Sequence, residues 1–111
     1  MLDFMGGAVN RIAPDATAFV HRTSVFTAQY FSHYDVGTPA ATVDEAGAWE
    51  TWMRATMRPW TNGHAYQNYL DPGIKDWKTA YYGANYPRLQ KVKAAYDPDW
   101  IFRFEQGIPP R

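Results

Sequence analysis

With 111 residues, 46% of them apolar, the chain is long enough for one compact domain, too short for two, and too apolar to be a disordered tail. Eleven basic and eleven acidic residues cancel and are scattered, so no basic footprint suits a phosphate backbone or an anionic membrane surface, and nucleic acid is not an expected partner. The absence of cysteine removes disulfides, thiolate metal ligands and cysteine nucleophiles together.

Taken in chain order, "MLDFMGGAVNRIAPDA" carries Gly6-Gly7 and Pro14-Asp15, punctuation that reads as a strand end or loop followed by a turn. Its start lacks the charged-then-apolar order of a signal peptide, and no apolar run anywhere is long enough to span a bilayer. "TAFVHRTSVFTAQYFSHY" is rich in β-branched and aromatic residues with loose alternation, Phe19, His21 and Thr23 falling on one side. Two strand segments are predicted, at 17 to 22 and 25 to 34. After the loop "DVGTPAA", Thr42 and Glu45 have the spacing of a capping box. Ala46, Trp49, Met53 and Met57 then recur at helical spacing, so a helix is predicted to end by Arg58, before Pro59. "YQNYL" is predicted as a short extended piece. "DPG" turns it into a helix, "IKDWKTAYY", stopped by Gly83. Asn85 is placed to cap the last helix, "YPRLQKVKAAY", with Pro87 in its first turn and Leu89, Val92 and Tyr96 on one face.

The fold class expected is therefore α+β, an antiparallel sheet of about two strands packed with three helices. So small a sheet is not stable by itself and asks for completion by further strands. Unpaired edges in residues 17 to 34 predict a homodimer or strand exchange.

In an extended segment side chains alternate, which would put Tyr66 and Asn68 on one face and Gln67 and Tyr69 on the other, with His64 joining Tyr66. Such a strand aims a phenol and an amide into one cleft. A phenol titrates near 10, so deprotonating one at neutral pH requires roughly 4 kcal/mol from nearby cations or hydrogen-bond donors. On spacing alone, Tyr66 reads equally as a half-buried tyrosine with a satisfied hydroxyl, and His64 as a loop residue beside Gly63. His21, His33 and His64 show no ligand spacing, so no metal site is expected. Trp49, Trp52 and Trp60 offer a sugar-stacking platform or simple core. "GANYPR" and "MGGAVN" lack the strand-to-helix context of a dinucleotide fingerprint.

Three stretches taken together, "GGAVNRIAPDATAFVHR", "YQNYLD" and "YYGANYPRLQKVKAAYDPDWIFRFEQGI", resemble the C-terminal, berberine bridge enzyme-like region of FAD-linked oxidases, in the order found there and over nearly the whole chain. The resemblance implies that residues 1–111 form a single C-terminal domain, part of a substrate-domain sheet, with the flavin-binding domain absent. It implies an oxidase acting on alcohol or sugar hydroxyls, with hydride passing to flavin N5 and O2 taking the electrons back. Tyr66 would be the catalytic base and Asn68 would lie near the flavin, whereas His21 and Arg22 match a strand motif read as structural; His64, on the Tyr66 face if the strand begins that early, is the candidate from the alternation to polarise the phenol or contact substrate. FAD would be held by the flavin-binding domain of the same protein and none by this chain alone, which is expected to be colourless and inactive. The partners implied are that domain and a small-molecule or carbohydrate substrate, with no nucleic acid and no membrane. The cytoplasm is the favoured location for this chain, with secretion left open for a parent protein. The contrasting reading is a stand-alone aromatic-rich binding or assembly module without catalysis.

Overall fold

The computed structural model describes residues 1–111. Its elements are β1 (Leu2–Phe4), a 3-10 turn at Gly7–Arg11, β2 (Phe26–Ala28), α1 (Ala40–Met57), a second 3-10 turn at Arg58–Trp60, α2 (Trp77–Tyr82), a third at Gly83–Asn85, and α3 (Tyr86–Tyr96). This is the α+β arrangement of two strands and three helices that the sequence implies. β1 and β2 pair antiparallel, Leu2 opposite Ala28, Asp3 opposite Thr27 and Phe4 opposite Phe26. The pairing is extended by Met5 N–H to Val25 O at 2.7 Å and by Gln29 N–H to Met1 O at 2.9 Å.

The predicted strand at 17 to 22 does not form, and the strand predicted at 25 to 34 shrinks to three residues because β1 offers no longer partner. In the first case side chains take the place of a neighbouring strand. Asn85 Nδ2 donates to Pro14 O and Thr17 O at 2.7 and 3.1 Å, and Arg88 Nη1 to Asp15 O at 2.9 Å. Arg22 donates through Nε to Phe19 O at 3.1 Å and through Nη1 to Val9 O at 3.3 Å. Asn10 Nδ2 reaches Arg22 O at 2.6 Å and Ser24 O at 3.0 Å. Backbone acceptors that a ladder would have used are satisfied, so the segment wraps over the other elements as an irregular strap.

α1 starts two residues before the expected capping box. The Pro39 carbonyl accepts from Thr42 N–H at 3.0 Å and Val43 N–H at 3.3 Å, and no side chain caps the helix. Pro39 itself has the extended backbone of a cap, which leaves Thr42 inside the first turn. The helix ends at Met57, as Pro59 requires. Its half-covered stripe is Val43, Ala46, Glu50, Met53 and Met57, so Trp49, at 46% exposure, lies outside it together with Trp52 and Trp60. The Arg54–Asp71 pair at 3.9 Å, open to solvent on both sides, ties α1 back to the chain and adds little stability.

α2 and α3 form the firmest part. Gly83, with φ of 48° and ψ of −131°, ends α2, and a Cβ there would sit 3.3 Å from Val20 Cγ2. Positive φ and the close approach both call for glycine. Asn85 precedes α3 as expected but spends its amide on the strap rather than on a cap. Leu89 is half-buried, while Val92 and Tyr96 of the predicted apolar face are exposed. Beyond α3, the Asp97 carboxylate accepts from Ile101 N–H at 2.7 Å, Phe102 N–H at 3.1 Å and the Lys93 ammonium, which organises the turn into the tail.

Only eight of 111 residues are buried. The radius of gyration is 16.3 Å, where a compact domain of this length has about 13 Å. The chain thus closes little core around itself and leaves large apolar side chains such as Phe4, Phe26 and Phe102 exposed.

Candidate active site

A cleft of about 410 Å³, open on one side, lies between β1, the strap and the segment before α2; it is lined by Asp3, Phe4, Met5, Val9, Phe19, Arg22, Thr27, Tyr66 and Tyr69. Tyr66 sits here because the segment carrying it is pinned at both ends to α2. Upstream, Ala65 N–H donates to Ala80 O at 2.9 Å. Downstream, Asp71 N–H donates to the hydroxyl of Tyr81 at 2.8 Å, a side chain with 0% exposure. That hydroxyl donates in turn to Gln106 Oε1 at 3.2 Å, and Gln106 Nε2 returns to Asp71 O at 2.9 Å.

Between these anchors the backbone does not run extended. Tyr69 N–H donates to Tyr66 O at 3.0 Å, closing a turn over Tyr66, Gln67, Asn68 and Tyr69. Alternation therefore fails as a guide. Tyr66 and Asn68 do meet, through Asn68 Nδ2 donating to Tyr66 Oη at 2.9 Å, because the turn folds one side chain over the other. Tyr69, expected on the opposite face, instead stands edge-on to Tyr66, ring centres 5.2 Å apart and planes at 89°. Phe19 flanks Tyr66 on another side at 6.0 Å.

His64 goes elsewhere. It is exposed, does not line the cleft, and packs edge-on against His21 at 5.4 Å. Trp49, Trp52 and Trp60 are likewise outside it. Sequence reasoning passed over Asp3, Phe4, Arg22 and Tyr69 as members of the site. The signal available for Arg22 was its position three residues after Phe19, whose ring its guanidinium covers at 4.7 Å. Arg22 is held by hydrogen bonds to Phe19 O, Val9 O and Thr17 Oγ1, so it brings a fixed positive charge to the cleft wall. Asp3 is held by Gln29 Nε2 at 2.6 Å. The chain contains no cluster of three or more His, Asp or Glu side chains suited to a metal ion.

His21 titrates below the usual imidazole range, first because it is buried and then because of the neighbouring His64; the Gln67 side chain and the carbonyls of Tyr81 and Ala65 oppose the shift. Asp97 titrates below the usual carboxylate range, chiefly through the Lys93 hydrogen bond, with desolvation opposing and the Ile101 and Phe102 amides assisting. Both groups bind protons less readily folded than unfolded. Each therefore adds stability above its unfolded value, lost as pH falls through its folded one. Acidification is expected to lower the thermal midpoint in two stages, one beginning below about 6.5 and one below about 3.9. His21→Gln should abolish the first and spare the second. A midpoint flat from neutral pH down to the carboxylate range in the unsubstituted chain would refute the assignment to His21.

Residues 65–109 match the family model described as berberine and berberine like. Over 96% of its length the chain is 39% identical to an uncharacterized FAD-linked oxidoreductase of Bacillus subtilis (strain 168), covering 23% of that protein. It is 32% identical to the carbohydrate oxidase of Microdochium nivale over 98% of the chain and 23% of the relative. Among solved structures it is similar to a chitooligosaccharide oxidase, with a TM-score of 0.68, 28% identity, and coverage of 99% of this chain and 25% of the other. The chain thus spans about a quarter of the length of the relatives it matches. No helix is long and apolar enough to cross a membrane.

FAD, the group these names imply, fits the chain in part. The aromatic walls of the cleft suit a flat ring. The glycine-rich strand-to-helix turn that cradles a pyrophosphate in dinucleotide folds is not built here, the connection from β2 to α1 being an eleven-residue loop with Gly37 as its one glycine.

Proposed function

Because residues 65–109 match the berberine and berberine-like family model and the chain as a whole is similar to an FAD-linked oxidoreductase and a carbohydrate oxidase, we propose that it forms the C-terminal part of an FAD-dependent oxidase acting on alcohol or sugar hydroxyls, with Tyr66 as the base. The observation that carries this reading is the Tyr66 hydroxyl, standing in an open aromatic cleft with a single amide donor, Asn68 Nδ2, at 2.9 Å.

In this reading the flavin, when bound, supplies the two-electron acceptor. Phe19, Tyr66 and Tyr69 present the walls against which it and a sugar ring would lie, and residues outside this chain hold the rest of the dinucleotide. Tyr66, acting as the phenolate, takes the substrate hydroxyl proton onto Oη and ends the step as the neutral phenol. The Asn68 amide, already aimed at that oxygen, favours the ionised phenolate from which the step starts. Arg22 adds a fixed cation on the same cleft wall. Asn68 therefore acts on the tyrosine in this scheme, while His64 packs against His21 and is given no role in it.

The test is anaerobic mixing of the flavin-loaded parent protein, in which this chain is joined to its flavin-binding domain, with simple alcohols, monosaccharides and oligosaccharides. Bleaching of the yellow flavin band by hydroxyl-bearing ligands, with return of colour on admitting O2, is the expected result. Binding of sugars without bleaching would overturn the oxidase reading and favour a binding module, for which the exposed Trp49, Trp52 and Trp60 supply a surface.

A further inference from the structure

The loop between α1 and the segment that carries Tyr66 contains Asn62-Gly63, the one place in the chain where an asparagine precedes a glycine. Asn62, Gly63 and His64 are all exposed. Gly63 has φ of 76°, and a Cβ built on it would meet nothing within 4 Å. Its N–H makes no hydrogen bond. The Asn62 side chain, by contrast, is held at both ends. Its Oδ1 accepts from His64 N–H at 3.0 Å, closing an Asx turn over Gly63, and its Nδ2 donates to Ser24 Oγ at 3.1 Å. The other asparagines are protected. Asn10 is half-buried with its amide on the Arg22 and Ser24 carbonyls, Asn68 is followed by Tyr69, whose N–H is engaged with Tyr66 O, and Asn85 is buried and followed by Tyr86, whose N–H is engaged with Gly83 O.

The backbone nitrogen that follows an asparagine can close a five-membered ring on the side-chain carbonyl carbon, and the following residue's side chain and any hydrogen bond on its N–H are what stand in the way. Both obstacles are missing at Gly63. We propose that Asn62-Gly63 is a self-modifying site of the folded protein, at which the Gly63 nitrogen attacks Asn62 Cγ and displaces ammonia. The new N–Cγ bond forms and the Cγ–Nδ2 bond breaks; the proton lost by the Gly63 nitrogen is balanced by the one that Nδ2 takes up to leave. Water then opens the cyclic imide at either carbonyl, giving aspartate, or isoaspartate in which the main chain runs through the former side chain. No oxidant or reductant enters. The His64 N–H, already on Oδ1, stabilises the charge that gathers on that oxygen during the attack. The isoaspartyl product adds one carbon to the main chain between Thr61, whose N–H donates to Arg58 O at 3.2 Å, and Ala65, whose N–H donates to Ala80 O at 2.9 Å. Those two bonds fix the span of the loop, so the longer chain slackens the segment leading into Tyr66. This consequence holds whether or not Tyr66 is a base.

The experiment keeps the intact parent protein in mildly alkaline buffer and follows it by peptide mapping. The peptide containing Asn62 should gain one dalton, with ammonia released mole for mole, and should accept a labelled methyl group from isoaspartyl methyltransferase. Peptides containing Asn10, Asn68 and Asn85 should keep their masses. Hydroxylamine, which attacks a cyclic imide, should cut the chain between residues 62 and 63. Asn62→Gln, an exposed change that sets the carbonyl one carbon further from the nitrogen, should abolish all of these signals. The isoaspartyl form, separated by chromatography, should melt below an Asn62→Asp variant, which has the charge without the extra carbon. An Asn62 peptide unchanged in the folded protein but modified in urea would overturn the proposal, and so would an undiminished gain in Asn62→Gln or a gain spread over all the asparagines. Equal melting of the isoaspartyl and Asn62→Asp forms would overturn the consequence for the Tyr66 segment.

Discussion

In the flavin-loaded parent protein, replacing Tyr66 with phenylalanine is expected to slow the reduction of bound flavin by substrate roughly 10²-fold or more, as loss of a positioned general base does. The change removes one oxygen and keeps the ring, so the edge-on contacts with Tyr69 at 5.2 Å and Phe19 at 6.0 Å remain. Folding and flavin content should therefore be unaltered. Only the Asn68 amide loses a partner, and Asn68 is exposed, so water replaces it. Tyr69→Phe provides the control. Tyr69 shares the cleft and contributes a wall rather than the reactive oxygen, so its rate should stay close to that of the unsubstituted protein, whereas Tyr69→Ala, which removes the wall, should raise KM. Stopped-flow reduction of the three variants separates these cases. Equal losses in Tyr66→Phe and Tyr69→Phe would show that the two hydroxyls act as one unit or that neither is the base.

The second large effect belongs to Tyr81. Its ring is the largest side chain withdrawn fully from solvent, and its hydroxyl both accepts from Asp71 N–H and donates to Gln106 Oε1. Tyr81→Phe strands a backbone donor and an amide oxygen in a half-buried place, a loss of about 1–3 kcal/mol. Tyr81→Ala adds the cavity left by an aromatic ring and should lose about 3–5 kcal/mol. Against a total stability that rarely exceeds ~15 kcal/mol and is smaller for little-buried chains, the alanine variant is expected to be largely unfolded at room temperature. Urea titration followed by circular dichroism measures both. A Tyr81→Ala midpoint equal to that of the parent would mean that the Asp71–Tyr81–Gln106 network does not hold the tail and the 65–71 segment together.

How much of this was legible in the sequence depends on how local the cause is. α3 runs over the predicted residues because Pro87 in its first turn and Asp97-Pro98 at its end act within a few positions. α2 stops where Gly83 says it must. The capping box failed because the carbonyl of Pro39, upstream of the helix start expected there, had already nucleated the first turn. The strand at 17 to 22 failed for a non-local reason, since the donors that capture its carbonyls sit on Asn85 and Arg88, about seventy residues later. No periodicity in the strap itself announces them. At the site, the pairing of Tyr66 with Asn68 was legible and its geometry was not. A strand and a turn both bring residues two apart together, but only the turn also brings Tyr69 alongside. His64 was placed by counting along a strand that does not exist, and its actual neighbour, His21, lies on the strap. The oxidase resemblance survived these errors because it rested on several linked stretches rather than on any one element.

The capture of the strap by α3 also decides how the chain comes apart. Asn85 Nδ2 closes loops of 68 and 71 residues and Arg88 one of 73. Closing so long a loop has an entropic penalty that grows only slowly with length, but it is repaid all at once when the N-terminal end of α3 docks. Carbonyls at 14 to 17 have no strand to fall back on if α3 frays, so the first and last quarters of the chain share one cooperative transition despite their separation along the backbone. The antiparallel pair of β1 and β2 takes none of its ladder hydrogen bonds from Asn85 or Arg88, but the strap runs between its two strands, so release of the strap loosens their connection as well.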